Sequence, residues 1–181
     1  SELESGRLRG TKRALVLFLG SSIGNYDPAS ARALLGAVSK AFKPGDALLL
    51  GTDLKKDPAA LTLAYDDPTG VTKAFVMNAL SRINHELGGH FDLRSFRHVV
   101  QYDAERGSVD AYLESMVDQQ VPVAKLSTAF SFKAGERIHV ESSHKYDMAD
   151  IDAMAQATGW RLERSWTDAE RHFAVNLLRR P

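Results

Sequence analysis

The chain has no cysteine among its 181 residues, which excludes disulfides, thiol nucleophiles and thiolate metal sites. It also lacks net charge, since Lys plus Arg and Asp plus Glu each number 23. A protein that binds nucleic acid or a membrane surface usually presents a strongly basic face, so neither partner is expected. No apolar run approaches the ~20 residues needed to span a bilayer. The opening Ser1-Glu2-Leu3-Glu4-Ser5-Gly6 has none of the apolar core of a signal peptide, and a cytoplasmic location is the expectation. The six histidines (His85, His90, His98, His139, His144 and His172) show no ligand spacing such as HxxxH, so no metal is expected. A phosphate loop of the P-loop type is missing too.

What is present reads as a soluble α/β protein of one domain or two small ones, with 44% hydrophobic and 25% charged residues. Ala14 to Leu19 is an apolar run that predicts a strand buried on both faces of a parallel sheet. It ends in Gly20-Ser21-Ser22-Ile23-Gly24-Asn25, small residues that let backbone and ligand approach closely at a strand's carboxyl end. Asp27-Pro28 starts a helix that continues to Phe42 with Leu34, Leu35, Val38 and Ala41 at helical spacing. Lys43-Pro44-Gly45-Asp46 stops it. Ala47 to Leu50 is a second strand, leading into Gly51-Thr52-Asp53, so the first fifty residues predict a right-handed βαβ unit.

The pattern then changes. Ala59–Tyr65 and Val71–Leu87 read as helices, the longer one closed by Gly88-Gly89. Extended segments are expected at Arg97–Tyr102, Val109–Val117, Ala124–Phe132 and Arg137–Tyr146. Leu126, Thr128, Phe130 and Phe132 alternate as in an antiparallel sheet with one buried face. Asp147 caps a further helix that ends at Gly159, and Trp160–Trp166 with His172–Leu178 form a strand pair around Asp168. The expected organisation is a core of residues 1–54 and 145–181, with an inserted α+β unit of residues 55–144. From so thin a parallel core the expectation is that the N-terminal half of the domain is absent from these residues, the alternative being a complete small α+β protein.

Three groups could carry chemistry. Gly20, Ser21, Ser22, Gly24 and Asn25 could hold a small polar ligand, and a plain β-to-α turn with a left-handed Asn25 accounts for them equally well. Tyr65, at a helix end, could donate to a carboxylate, although a packing role suffices for it alone. In Ile138-His139-Val140-Glu141-Ser142-Ser143-His144-Lys145-Tyr146, strand parity puts Glu141, Ser143 and Lys145 on the face opposite Ile138 and Val140. A carboxylate and a hydroxyl two residues apart can grip both nitrogens of a planar heterocycle such as imidazole. A solvated face with a Lys–Glu pair is the plainer alternative.

Five motifs occur together in order: Leu19-Gly20-Ser21-Ser22-Ile23-Gly24-Asn25, Leu50-Gly51-Thr52-Asp53-Leu54-Lys55-Lys56-Asp57, Ala64-Tyr65-Asp66-Asp67, Gly70-Val71-Thr72 and Glu141-Ser142-Ser143-His144-Lys145-Tyr146. In combination they resemble the S-adenosylmethionine-dependent histidine-specific methyltransferase family of the ergothioneine pathway. The resemblance implies the C-terminal part of a class I methyltransferase, Rossmann-like sheet with an inserted substrate-binding unit. It implies methylation of the α-amino group of histidine or a related amino acid. Carried over motif by motif, Gly20 and Asn25 would hold the substrate's α-amino and carboxylate end, with Asn25 the candidate catalytic residue. Tyr65 would donate to the carboxylate, and Glu141 and Ser143 would bind the imidazole. Gly20, Ser21 and Ser22 would be this chain's contribution to the cofactor. The family's glycine-rich cofactor loop and ribose-holding acid lie upstream of Leu15, so these residues alone are expected to be inactive and to bind S-adenosylmethionine weakly. Ala111 stands where a larger pocket-lining side chain is expected, which implies a roomier pocket. The rival readings are a noncatalytic amino-acid-binding module and an interaction domain that dimerises through an exposed sheet edge.

Overall fold

The computed structural model describes residues 13–181; the opening segment without signal-peptide character and the first residues of the expected core lie outside the described residues. The chain divides into two compact units. The first comprises the chain up to Lys56 together with Ser142–Pro181, and the second is Asp57–Glu141. Among the described residues, no helix is long and apolar enough to cross a membrane.

The first unit holds a four-stranded sheet in the order β1-β2-β9-β8. Strand β1 (Leu15–Phe18) pairs in parallel with β2 (Ala47–Asp53), and helix α1 (Pro28–Ala41) connects them. The Asp27 carboxylate starts α1 by accepting from the backbone N–H of Ala29 and Ser30, while Pro28 occupies a position where no amide is needed. Strand β9 (Phe173–Arg179) runs antiparallel to β2, and β8 (Arg161–Thr167) antiparallel to β9. Asp168 makes their turn by accepting from the N–H groups of Glu170, His172 and Phe173. Helix α4 (Met148–Ala157) begins with a reciprocal cap between Asp147 and Asp150.

Ile23, Leu35, Leu48, Leu50, Ile151, Trp160 and Leu178 form one core cluster. The Trp160 indole N–H donates to the Leu35 carbonyl at 3.1 Å, so burying this large ring leaves no orphaned donor. The burial expected for both faces of β1 is not found. Val16 and Phe18 pack on the cluster, but Leu15 and Leu17 are 57% and 59% exposed. Both helices contribute to that single cluster, and among the described residues nothing covers the other face of this edge strand.

In the second unit, α2 (Pro58–Tyr65) and α3 (Val71–Leu87) accompany a sheet of β3 (Phe96–Asp103), β4 (Ser108–Ser115) and β7 (Arg137–His144), whose last residues pass into the first unit. A hairpin of β5 (Gln119–Val123) and β6 (Thr128–Phe132) stands beside it as a separate two-stranded sheet. The single extended segment expected at Ala124–Phe132 is therefore corrected. Ser127 adopts φ +49° after a 3₁₀ turn at Ala124–Leu126, and β6 begins only beyond it. The polar Gln119-Gln120 and the interposed Pro122 hide β5, although Val121 and Val123 are both buried. The alternation over Leu126–Phe132 does not mark a buried face either. Leu126 and Phe130 are exposed, and only Phe132 packs, against Phe91 and Phe96.

Ile151 sits fully buried at the centre of the first core, whereas Phe130 lies on an exposed strand. Ile151→Ala is expected to cost about 2–5 kcal/mol of stability, and Phe130→Ala well under about 1 kcal/mol. Urea unfolding of both variants checks the contrast.

Candidate functional site

The loop after β1 departs from helix and strand at Gly20 and Ser21, with φ +70° and +55°. Ser22–Asn25 then form one 3₁₀ turn, closed by the Gly24 N–H on the Ser21 carbonyl at 2.8 Å. The left-handed residues are thus Gly20 and Ser21, not Asn25, which corrects the plain-turn reading. The turn is pinned by Ile23, which is fully buried in the first core. Ser22 Oγ donates to the Leu19 carbonyl at 3.1 Å, and Ser21 Oγ accepts from the Asp53 N–H at 2.8 Å. Asn25 is exposed at the end of the turn. Two glycines serve different ends here. A Cβ on Gly20 would meet only Ser22 Oγ, at 3.9 Å, so its backbone is open to a ligand. A Cβ on Gly24 would lie 2.7 Å from the His144 carbonyl oxygen, so only glycine lets the loop sit against the end of β7.

The polar end of β7 is not a solvated face. Ser143 and Lys145 are buried, and the Lys145 side chain is only 1% exposed. The Lys–Glu pair considered from the sequence gives way to a different partner. Lys145 Nζ lies 2.9 Å from Asp53 Oδ2 and donates to Ser143 Oγ at 2.8 Å. Lys56 Nζ binds the other Asp53 oxygen at 2.6 Å. Burial pushes the Asp53 carboxyl upward, but the hydrogen bonds and charges of Lys145 and Lys56 outweigh it and hold the group below the usual carboxylate range. Backbone bonds fix the same corner. The Tyr146 N–H donates to the Asp53 carbonyl, the Lys55 N–H donates to the Tyr146 carbonyl, and the Tyr146 hydroxyl reaches the Ile23 carbonyl at 3.4 Å. Lys55 meanwhile pairs with Asp147 and Asp150 at the start of α4.

The structure thus brings Ser21 and Ser143 to one corner of the first unit, joined through Asp53 and Lys145, with the Gly24 backbone against His144 beside them. Sequence reasoning names Asp53 and Lys56 only as parts of longer runs, and Lys145 only for its strand face and a solvated Lys–Glu pair. The available signal is Asp53 itself, an acid at the polar end of an apolar strand, which needs a cation once buried. Tyr65 and Glu141 belong to the second unit. Tyr65 is the half-buried last residue of α2, before a turn in which Asp67 accepts from the N–H groups of Val71 and Thr72. Glu141 is half-buried on β7, two residues before Ser143. Ala111, expected to line a pocket, lies within the second core opposite Val100.

A profile of the family described as histidine-specific methyltransferase, SAM-dependent, matches residues 2–180. The chain belongs to that family. Histidine N-alpha-methyltransferase of Mycolicibacterium smegmatis is 40% identical over 172 residues, covering 95% of this chain and 54% of that protein. The enzyme of the same name from Mycobacterium tuberculosis is 41% identical over 169 residues, covering 93% and 52%. L-tryptophan methyltransferase of Psilocybe serbica is 27% identical over 168 residues, covering 91% and 46%. The chain spans about half the length of each of these three relatives.

Asp53→Asn would leave Lys145 buried without a countercharge, with an expected cost of about 3–5 kcal/mol. Because the folded-state pKa of Asp53 is depressed, its contribution is complete above the unfolded value and is lost as pH falls below about 4. Denaturant unfolding across pH 2.5–7 should show a shallower acid loss in Asp53→Asn than in wild type. Gly24→Ala is expected to displace the loop from His144, read as lower stability together with faster amide exchange at residues 20–25.

Proposed function

We propose that the protein transfers methyl groups from S-adenosylmethionine to the α-amino group of histidine or a closely related amino acid. The observation that supports this most is the family match over residues 2–180, which takes in the Gly20–Asn25 loop, the Asp53 corner and Ser143. The relatives at 40% and 41% identity are both named histidine N-alpha-methyltransferases.

S-adenosylmethionine is the family's cofactor. Residues Gly20–Ser22 fit one edge of such a group, because the Gly20 backbone is open at the carboxyl end of a parallel strand. The Ser21 and Ser22 hydroxyls are engaged by the Asp53 N–H and the Leu19 carbonyl, so their contact with a cofactor would come from the main chain. When bound, the cofactor supplies an electrophilic methyl group on a sulfonium.

The work of the protein's own residues is placement. The Asn25 carboxamide can accept from an amine and donate to a carboxylate, which suits it to orient the amino-acid end of the substrate. An amine held with its lone pair directed, and stripped of water, needs no dedicated strong base. Tyr65 is proposed as a donor to the substrate carboxylate, with Glu141 and Ser143 binding the ring. These assignments rest on the motif match; Gly20, Asn25 and Ser143 draw further support from the geometry of the first unit.

The test is a methylation assay of the complete gene product with S-adenosylmethionine and each amino acid, read by mass spectrometry. Stepwise methylation of histidine is expected, with tryptophan reacting far less. Asn25→Ala should lower kcat/KM by about 100-fold or more. A wild-type protein that methylates tryptophan or another amine but leaves histidine untouched would overturn the acceptor while keeping the reaction class.

A further inference from the structure

Ser143 is built into the corner in one particular hydrogen-bonding sense. A lysine ammonium has three donors and no acceptor, so in the Lys145–Ser143 contact of 2.8 Å the serine oxygen must be the acceptor. Lys145 cannot turn away from this duty, because its side chain is 1% exposed and is held by Asp53 at 2.9 Å. Asp53 is in turn fixed by Lys56 and by the backbone bonds to Ser21 and Tyr146. A hydroxyl that accepts from a cation is polarised, and its own proton becomes a better donor. Ser143 is thereby favoured as a donor and disfavoured as a further acceptor.

We propose that Lys145 is a positioning residue which fixes the Ser143 hydroxyl as a hydrogen-bond donor, so that the substrate ring is taken with an unprotonated nitrogen facing Ser143. The inference rests on the amino-acid methylation reading above. Its consequence is selection of protonation state. A neutral imidazole offers one N–H and one bare nitrogen, whereas an imidazolium offers two N–H groups and nothing for Ser143 to donate to. Without the fixed donor, Ser143 could rotate to accept, and the Glu141 carboxylate two residues back on the strand would favour the cationic ring.

Among the described residues, Asp53 at the end of β2 meets Lys145 and is met in turn by Lys56, while Glu141 and His144 on β7 and Tyr146 are chain neighbours of Ser143 and Lys145. Beyond them stand Lys55, Asp147 and Asp150 at the start of α4. A comparison between wild type and variants that differ at Lys145, or at Lys145 and Asp53, keeps the rest constant.

The experiment measures KM for histidine at pH 5.5 and pH 8 with the complete gene product, alongside its thermal unfolding. At pH 5.5 only about a tenth of free imidazole is neutral, so the wild-type KM should rise about tenfold between the two. In Lys145→Met this ratio should fall below about threefold, with Lys145→Arg, which keeps a donor, restoring it. Should Lys145→Met fail to fold, the paired change Lys145→Met with Asp53→Asn removes the unpaired carboxylate, keeps an acceptor for Lys56 and repeats the measurement. A tenfold ratio kept by whichever of these variants folds overturns this inference alone. No histidine methylation by the wild-type protein at any pH overturns the reading beneath it and this inference with it.

Discussion

The first unit depends on the ion pair between Lys145 and Asp53. A lysine whose side chain is 1% exposed is tolerated only if a carboxylate meets it and its remaining donors find oxygen. Asp53 stands at the end of β2 and Lys145 just beyond β7, so satisfying this one charge fixes where two distant stretches of chain end. The pair also sets the hydrogen-bonding sense of Ser143, while the Asp53 backbone N–H separately holds the Ser21 hydroxyl. A change at either charged residue therefore reaches the Ser143 hydroxyl, which sequence reasoning assigns to ligand binding.

Backbone contacts make this arrangement rigid. Leu54 and Tyr146 form a parallel bridge beyond the named strands, and Tyr146 exchanges bonds with Asp53 and Lys55 on either side. Against this frame the loop after β1 can only lie close, because the Gly24 position faces the His144 carbonyl with no room for a methyl group. The small residues of the loop are thus explained twice. Gly24 is required by the protein's own packing, whereas nothing inside the protein fills the space at Gly20. Only the second kind of glycine speaks for a ligand.

Much of this was legible in the sequence where one local rule decides the outcome. The helix Val71–Leu87 is read to the residue from its apolar stripe and the Gly88-Gly89 stop, and α1 and α4 from Asp27-Pro28 and Asp147. What depends on the partner surface is not legible. The apolar run Ala14–Leu19 carries no sign of which face will be covered, and β1 proves to be an edge strand with Leu15 and Leu17 outward. Strand β5 is masked by glutamines and a proline, since only Val121 and Val123 are buried. Strand parity expects Glu141, Ser143 and Lys145 on one face, and the Lys145–Ser143 hydrogen bond agrees for those two, but parity cannot tell that Lys145 will turn to Asp53, ninety-two positions earlier in the chain. That partnership is a tertiary fact, and the chemistry of the candidate site hangs on it.

The most direct measurement of the account is the ring ¹⁵N spectrum of labelled histidine bound to the complete gene product, followed from pH 8 to below the pKa of free imidazole. One protonated and one bare, hydrogen-bonded nitrogen are expected to persist in the bound state after the free ligand has become imidazolium. A bound ring protonated at both nitrogens over the same range, or no bound histidine at all, would contradict it.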